Sequence, residues 1–218
     1  MKFLKTLGII TMVLLMPCFA FVACDGSTPP PATPTTLTQA KAQQVITNAR
    51  NNMSTKDTCE MLMMVESQKV KHYAYTPTQG YLYTLFLSEI ECWVIEEEGV
   101  MYQYTIENQT TYTKSVADTS DTEDDGEGWY EYEPSETMEF VSAEELSGTT
   151  TIIYQFYDED FDKNMIVTYK IKNNVITSIN QTNEQGAIYV TVAYKYGAEV
   201  QVPALPTQMP NGSPIIWA

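Results

Sequence analysis

The chain has 218 residues, 12 basic and 28 acidic, with one histidine and a formal net charge of −16. So acidic a chain disfavours nucleic-acid binding, because phosphate contacts need a basic patch. With 44% hydrophobic residues it still has enough apolar content for one real core.

Residues 1–23 read as an address. Lys2 and Lys5 supply a positive start, "LGIITMVLLM" an apolar run of secretory length, and "FAFVA" a small-residue approach to Cys24. The positions Phe21, Val22, Ala23 and Cys24 resemble a bacterial lipobox, with Phe21 where Leu is usual. That resemblance implies that Cys24 becomes the lipidated first residue of the mature protein. Two or three acyl chains anchor stably where one is marginal. Loss of residues 1–23 removes two lysines and no acid, moving the net charge from −16 to −18. The expected location is the extracytoplasmic face of a bacterial cell membrane. Residues 24–36, rich in Pro and Thr, cannot bury a core and read as a flexible tether.

The main domain is expected over 37–207. "TLTQAKAQQVITNARNN" is its long helical pattern, with Thr36 and Gln39 as a capping box and Leu37, Ala42, Val45, Ile46 and Ala49 as the apolar stripe. Asn51 and Asn52 punctuate its end. The period then changes to two, and eight or more strands follow. Turns are expected at Gly99, at Asn108-Gln109, at "DEDFDKN", at Asn173-Asn174 and at "NEQG". Val167, Tyr169 and Ile171 share one sheet face; Ile188, Val190 and Val192 share another. "SAEELSG" predicts a short helix capped by Ser142 and Glu145 and ended by Gly148. The fold class is therefore α+β: an amino-terminal amphipathic helix packed on a long, curved antiparallel sheet, a half-barrel meander.

Lipobox, tether, helix and meander, with a closing "YKYGAEVQVPALP", resemble the LolA-like lipoprotein-carrier superfamily, in particular mycobacterial glycolipid-carrier-type lipoproteins. The closing motif falls on Tyr194, Tyr196, Gly197, Val200, Val202 and Pro203. The resemblance implies a half-barrel that shelters the acyl chains of a lipid or lipoprotein.

Met61, Met63, Met64, Leu85, Leu87 and Trp93 are the candidate ligand-lining residues, because methionine adapts to irregular apolar guests and both sheet faces are apolar there. Cys59 and Cys92 remain inside the domain; an exported compartment permits a disulfide, and two buried thiols fit equally well. Residues 115–162 hold sixteen acids and no Lys or Arg, and an acidic surface loop is expected near 115–137. Asp121, Glu123, Asp125 and Gly126 match the start of a calcium loop, but Tyr132 replaces its bidentate Glu, so no metal or other cofactor is expected. His72 alone would have to carry any triad; it is read as an exposed strand-end residue, and no catalytic motif is present. The expected function is a non-catalytic, membrane-anchored carrier or shelter of an acyl-bearing ligand. The alternative is an adhesion module using its acidic loop and the tyrosine rows Tyr73/Tyr75, Tyr81/Tyr83 and Tyr102/Tyr104. The tail 208–218 ends in an apolar triplet, Ile215, Ile216 and Trp217.

Overall fold

The computed structural model describes residues 32–85, 88–117, 134, 137–159 and 162–218. The signal segment, Cys24, most of the tether, Leu87, the calcium-like run and most of the acidic loop lie outside the described residues.

The helix α1 spans Gln39–Met53. Its N-cap is Thr38, whose hydroxyl accepts from Lys41 N–H at 3.4 Å. Thr36, the expected cap, instead belongs to β1 (Thr35–Thr36), so the helix is not the first described element. Ala42, Ile46, Ala49 and Met53 recur at helical spacing and are all buried. The helix runs through Asn51 and Asn52 to Ser54, where Asn52 Nδ2 donates to Asn174 O at 2.9 Å and ties its end to a hairpin. No helix among the described residues is long and apolar enough to cross a membrane.

The remaining strands are β2 (Cys59–Val65), β3 (Gln68–Thr76), β4 (Gln79–Leu85), β5 (Glu89–Glu97), β6 (Val100–Glu107), β7 (Thr111–Val116), β8 (Glu139–Leu146), β9 (Thr149–Asp158), β10 (Lys163–Lys172), β11 (Val175–Asn183) and β12 (Ile188–Tyr196). All lie in one open antiparallel sheet of twelve strands, ordered β1-β8-β9-β10-β11-β12-β2-β3-β4-β5-β6-β7. The chain makes two meanders, β2–β7 and β8–β12, and the last strand returns to pair with the first of them, Tyr194 opposite Met61. Residues 117–138, which contain most of the acidic run, connect β7 at one edge of the sheet to β8 beside the other.

Four two-residue turns have both residues at positive φ: Glu66-Ser67, Glu98-Gly99, Ser147-Gly148 and Asn173-Asn174. This is the hairpin geometry that matches strand twist. The third one corrects the short helix expected at 142–148. The segment pairs with β9 from Glu139 to Leu146, and Ala143, 2% exposed, is its one buried residue. Gly148 (φ +77) ends a hairpin there, not a helix.

Two cores lie on opposite faces of the sheet. On the helix face, α1 packs on β8 and β11. Ile152, Tyr154, Val167, Tyr169, Ile171, Ile179, Val192 and Met61 complete that cluster. On the other face, residues 200–218 lie over β3–β7. There Val200, Val202, Leu205 and Trp217 cover Ala74, Tyr81, Tyr83, Trp93 and Tyr104. Strand β3 serves both cores, Tyr73 turning to the helix and Ala74 to the tail.

Candidate functional site

The predicted lining residues do not converge. Met61 is 3% exposed beneath α1, and Met63 packs at the margin of the same cluster. Met64, one residue on, points to the opposite face. Leu85 and Trp93 belong to the tail-face core, where Trp93 is 2% exposed and its indole N–H donates to Pro203 O at 3.0 Å. Met61 and Met63 therefore lie in the helix-face core and Leu85 and Trp93 in the tail-face core, with Met64 in neither, because alternate residues of a strand face opposite ways.

Among the described residues, the hollow with the most apolar walls lies under the tail. Residues 207–215 fold back as a miniature hairpin. Ile215 N–H donates to Thr207 O at 3.0 Å, and Met209 N–H to Ser213 O at 2.7 Å. Its three-residue loop is Pro210, Asn211 and Gly212. Gly212 N–H donates to Met209 O at 2.9 Å, and φ of +83° at Gly212 suits glycine. That is the familiar type I turn followed by a left-handed residue. Trp217 then wedges against the rings of Tyr104 and Tyr112, with centroids 5.0 and 6.0 Å away. Ala218 joins the β7 edge: Lys114 N–H donates to Ala218 O at 2.8 Å, and Ala218 N–H to Tyr112 O at 3.3 Å.

Between this hairpin and β5–β7 is a cavity of about 260 Å³. Its walls are Ile106, Tyr112, Pro206, Met209, Pro210 and Ile215, with Glu89, Glu91, Gln109 and Gln208 as the polar groups. A second depression of about 470 Å³ shares Gln109, Tyr112, Met209 and Pro210 with it, so the two adjoin. Gln109 Nε2 donates to Glu89 Oε2 at 2.9 Å, fixing one carboxylate at the rim. Burial pushes the Glu91 carboxyl above its ordinary range, helped by the like charge of Glu89 and opposed by Lys69. An apolar hollow with a few oriented polar groups is what small-molecule sites have in common.

The single histidine is not exposed. The His72 side chain is 15% exposed, and its Nε2 lies 3.2 Å from Glu60 Oε1. Glu60, 7% exposed, also accepts from Lys195 Nζ at 3.0 Å through both oxygens and from Gln201 N–H at 3.4 Å. Burial lowers the His72 pKa, and Glu60 works against that. The cluster joins β2, β3, β12 and the start of the tail, and its role is structural, since a buried carboxylate must find partners.

Cys59 and Cys92 are free thiols. Strands β3 and β4 stand between theirs, three steps or roughly 14 Å apart, against the ~7 Å limit between Cα atoms of a disulfide. The bridge permitted by the sequence is thus excluded by strand order. Among the tyrosines, Tyr81, Tyr83 and Tyr104 are at most 5% exposed. Those three lie inside the tail-covered core with Tyr102 at its margin, whereas Tyr73 packs at the margin of the helix-face core. Among the described residues no group of three or more His, Cys, Asp or Glu is arranged to hold a metal ion.

The site-forming residues that the sequence did not single out are Ile106, Tyr112, Met209, Pro210 and the pair Glu89 and Glu91. The available signal was the turn "PNGS" followed by the apolar triplet: a turn plus unsheltered apolar residues implies a segment that folds back.

No family model matches the chain, and neither does any curated protein sequence. Among solved structures it is similar to LprF from Mycobacterium bovis, with 12% identity and a TM-score of 0.40, over 76% of this chain and 97% of that one. It is also similar to MucB, with 10% identity and a TM-score of 0.34, over 76% of this chain and 64% of that one. Values this low name neither a family nor a ligand.

Proposed function

We propose that this protein is a LolA-like, lipid-anchored binding protein of the bacterial cell envelope. It holds a hydrophobic ligand beneath its tail hairpin and does not turn it over. Cys24 carries the anchor, and the tether lifts the acidic domain away from anionic headgroups. The observation that carries the reading is the apolar cavity roofed by the 207–215 hairpin. Its volume of about 260 Å³ lies just below the usual range of roughly 300–1,000 Å³ for small-molecule pockets. A single acyl chain fits that size better than a many-chained glycolipid.

The test is co-purification. The full chain carrying Cys24→Ser is exported from a bacterium, purified without detergent, and its organic extract analysed by mass spectrometry. A single-chain lipid released on unfolding supports the reading. An empty protein that takes up no added fluorescent acyl probe refutes it. Anchoring is checked separately: Cys24→Ser moves the protein from the membrane to the soluble fraction, and an unchanged distribution refutes the lipobox reading.

A further inference from the structure

The groove beneath the tail has a one-sided charge. Glu89 and Glu91 stand two residues apart on β5, on the same face, and both line the cavity. The other polar lining groups are the amides Gln109 and Gln208; the lining set contains no Lys or Arg. Of the nearby cations, Lys69 acts on the Glu91 carboxyl and offsets part of its charge from outside the lining. Lys69 stands 3.7 Å over the Tyr83 ring, and Lys114 is paired with Glu97 at 2.8 Å beside the Tyr102 ring. A fatty acid placed here would bring a third carboxylate against two, with no cation in the lining to receive it. Like-charge juxtaposition in a partly dry site is strongly unfavourable, and opposite charge there sets selectivity.

We infer that the cavity formed by Glu89, Glu91, Ile106, Tyr112, Met209 and Ile215 selects amphiphiles with a cationic amine head over those with a carboxylate head. This rests on the binding function proposed above and assigns its ligand class. The alkyl chain lies between Ile106, Tyr112 and the hairpin residues Met209 and Ile215. The ammonium meets Glu91 and the Glu89 carboxylate that Gln109 holds in place. Neutral heads bind on the strength of the chain alone.

Three probes of equal chain length separate these contributions: dodecylamine, dodecanol and dodecanoate, each below its micelle concentration. Their affinities are measured by displacement of a fluorescent acyl probe from the full chain carrying Cys24→Ser, at low salt. The expected order is amine, alcohol, carboxylate, with about a tenfold step between amine and alcohol. Glu89→Gln and Glu91→Gln, made singly, each lower the ratio of dodecylamine to dodecanoate affinity. Glu144→Gln on distant β8 has no effect. If dodecanol binds but all three probes bind alike, the head-group inference is overturned and the groove function stands. If the order survives both glutamine variants, the preference comes from the overall negative field, and the inference is again overturned. If none of the probes binds, the binding function itself falls, and the inference falls with it.

Discussion

The Tyr154 hydroxyl is buried without a hydrogen-bond partner among the described residues, and its ring meets those of Phe140 and Tyr169 edge to face. An unsatisfied buried hydroxyl costs about 1–3 kcal/mol. Tyr154→Phe therefore raises stability by about 1 kcal/mol in urea titrations; a loss instead would reveal a partner. Cys59 offers a second residue-scale test. Burial, with Glu60 adjacent, pushes its thiol up to about 12. At pH 8 only about one molecule in 10⁴ carries the reactive thiolate, so native protein resists iodoacetamide at Cys59 until it is unfolded. His72 makes stability depend on pH. Its folded pKa is below the ordinary 6.5, so the unfolded chain takes up the proton first as pH falls. Stability is full above 6.5 and declines below it. His72→Gln flattens that part of the curve; an unchanged slope would assign it to other groups. The sequence does not reveal that His72 is largely covered, because its partners Glu60 and Tyr81 sit on the neighbouring strands β2 and β4, a placement set by strand register that local pattern does not record.

Among the elements, α1 is legible because its stripe is local: Ala42, Ile46 and Ala49 carry the period wherever the helix docks. Its cap lies two residues beyond the expected one because Thr36 and Thr38 are both good caps, and pairing of Thr35 and Thr36 with Glu145 and Glu144 decides between them. Segment 142–148 departs from expectation for a related reason. Its capping-box residues fit a helix, but the partner strand β9 outweighs a short helix that would be marginal alone. Glu66-Ser67 gives no turn signal because neither residue is a usual left-handed one; the strands on either side impose it. The tail hairpin carries its own prediction. A β-branched residue at Gly212 meets the positive φ at a cost of roughly 1–2 kcal/mol. Gly212→Val therefore loosens the roof and weakens acyl-probe binding several-fold, with little change in global stability. Unchanged affinity would mean that the hairpin does not roof the site.

At the scale of the whole molecule, the sequence conveys the class: one helix, then a long antiparallel sheet. The pairing of β12 with β2, which joins two meanders into one sheet, is long-range and leaves no local trace. Nor does the division of the sheet into two half-cores. Alternation in "GYLYTL" and "IECWVI" says that one side is buried but not which cover lies on it, so Met61 and Trp93 look like neighbours in a single pocket. Most of the acidic run belongs to the connection between β7 and β8. The measurement that bears most directly on this account is titration of a fluorescent single-chain acyl probe into the full chain carrying Cys24→Ser, repeated with Met209→Trp and with Met63→Trp. The expected result is saturable binding at one site, weakened about tenfold or more by Met209→Trp, which fills the groove, and unaffected by Met63→Trp on the helix face. Binding lost with Met63→Trp and kept with Met209→Trp would contradict it and move the site beneath the helix.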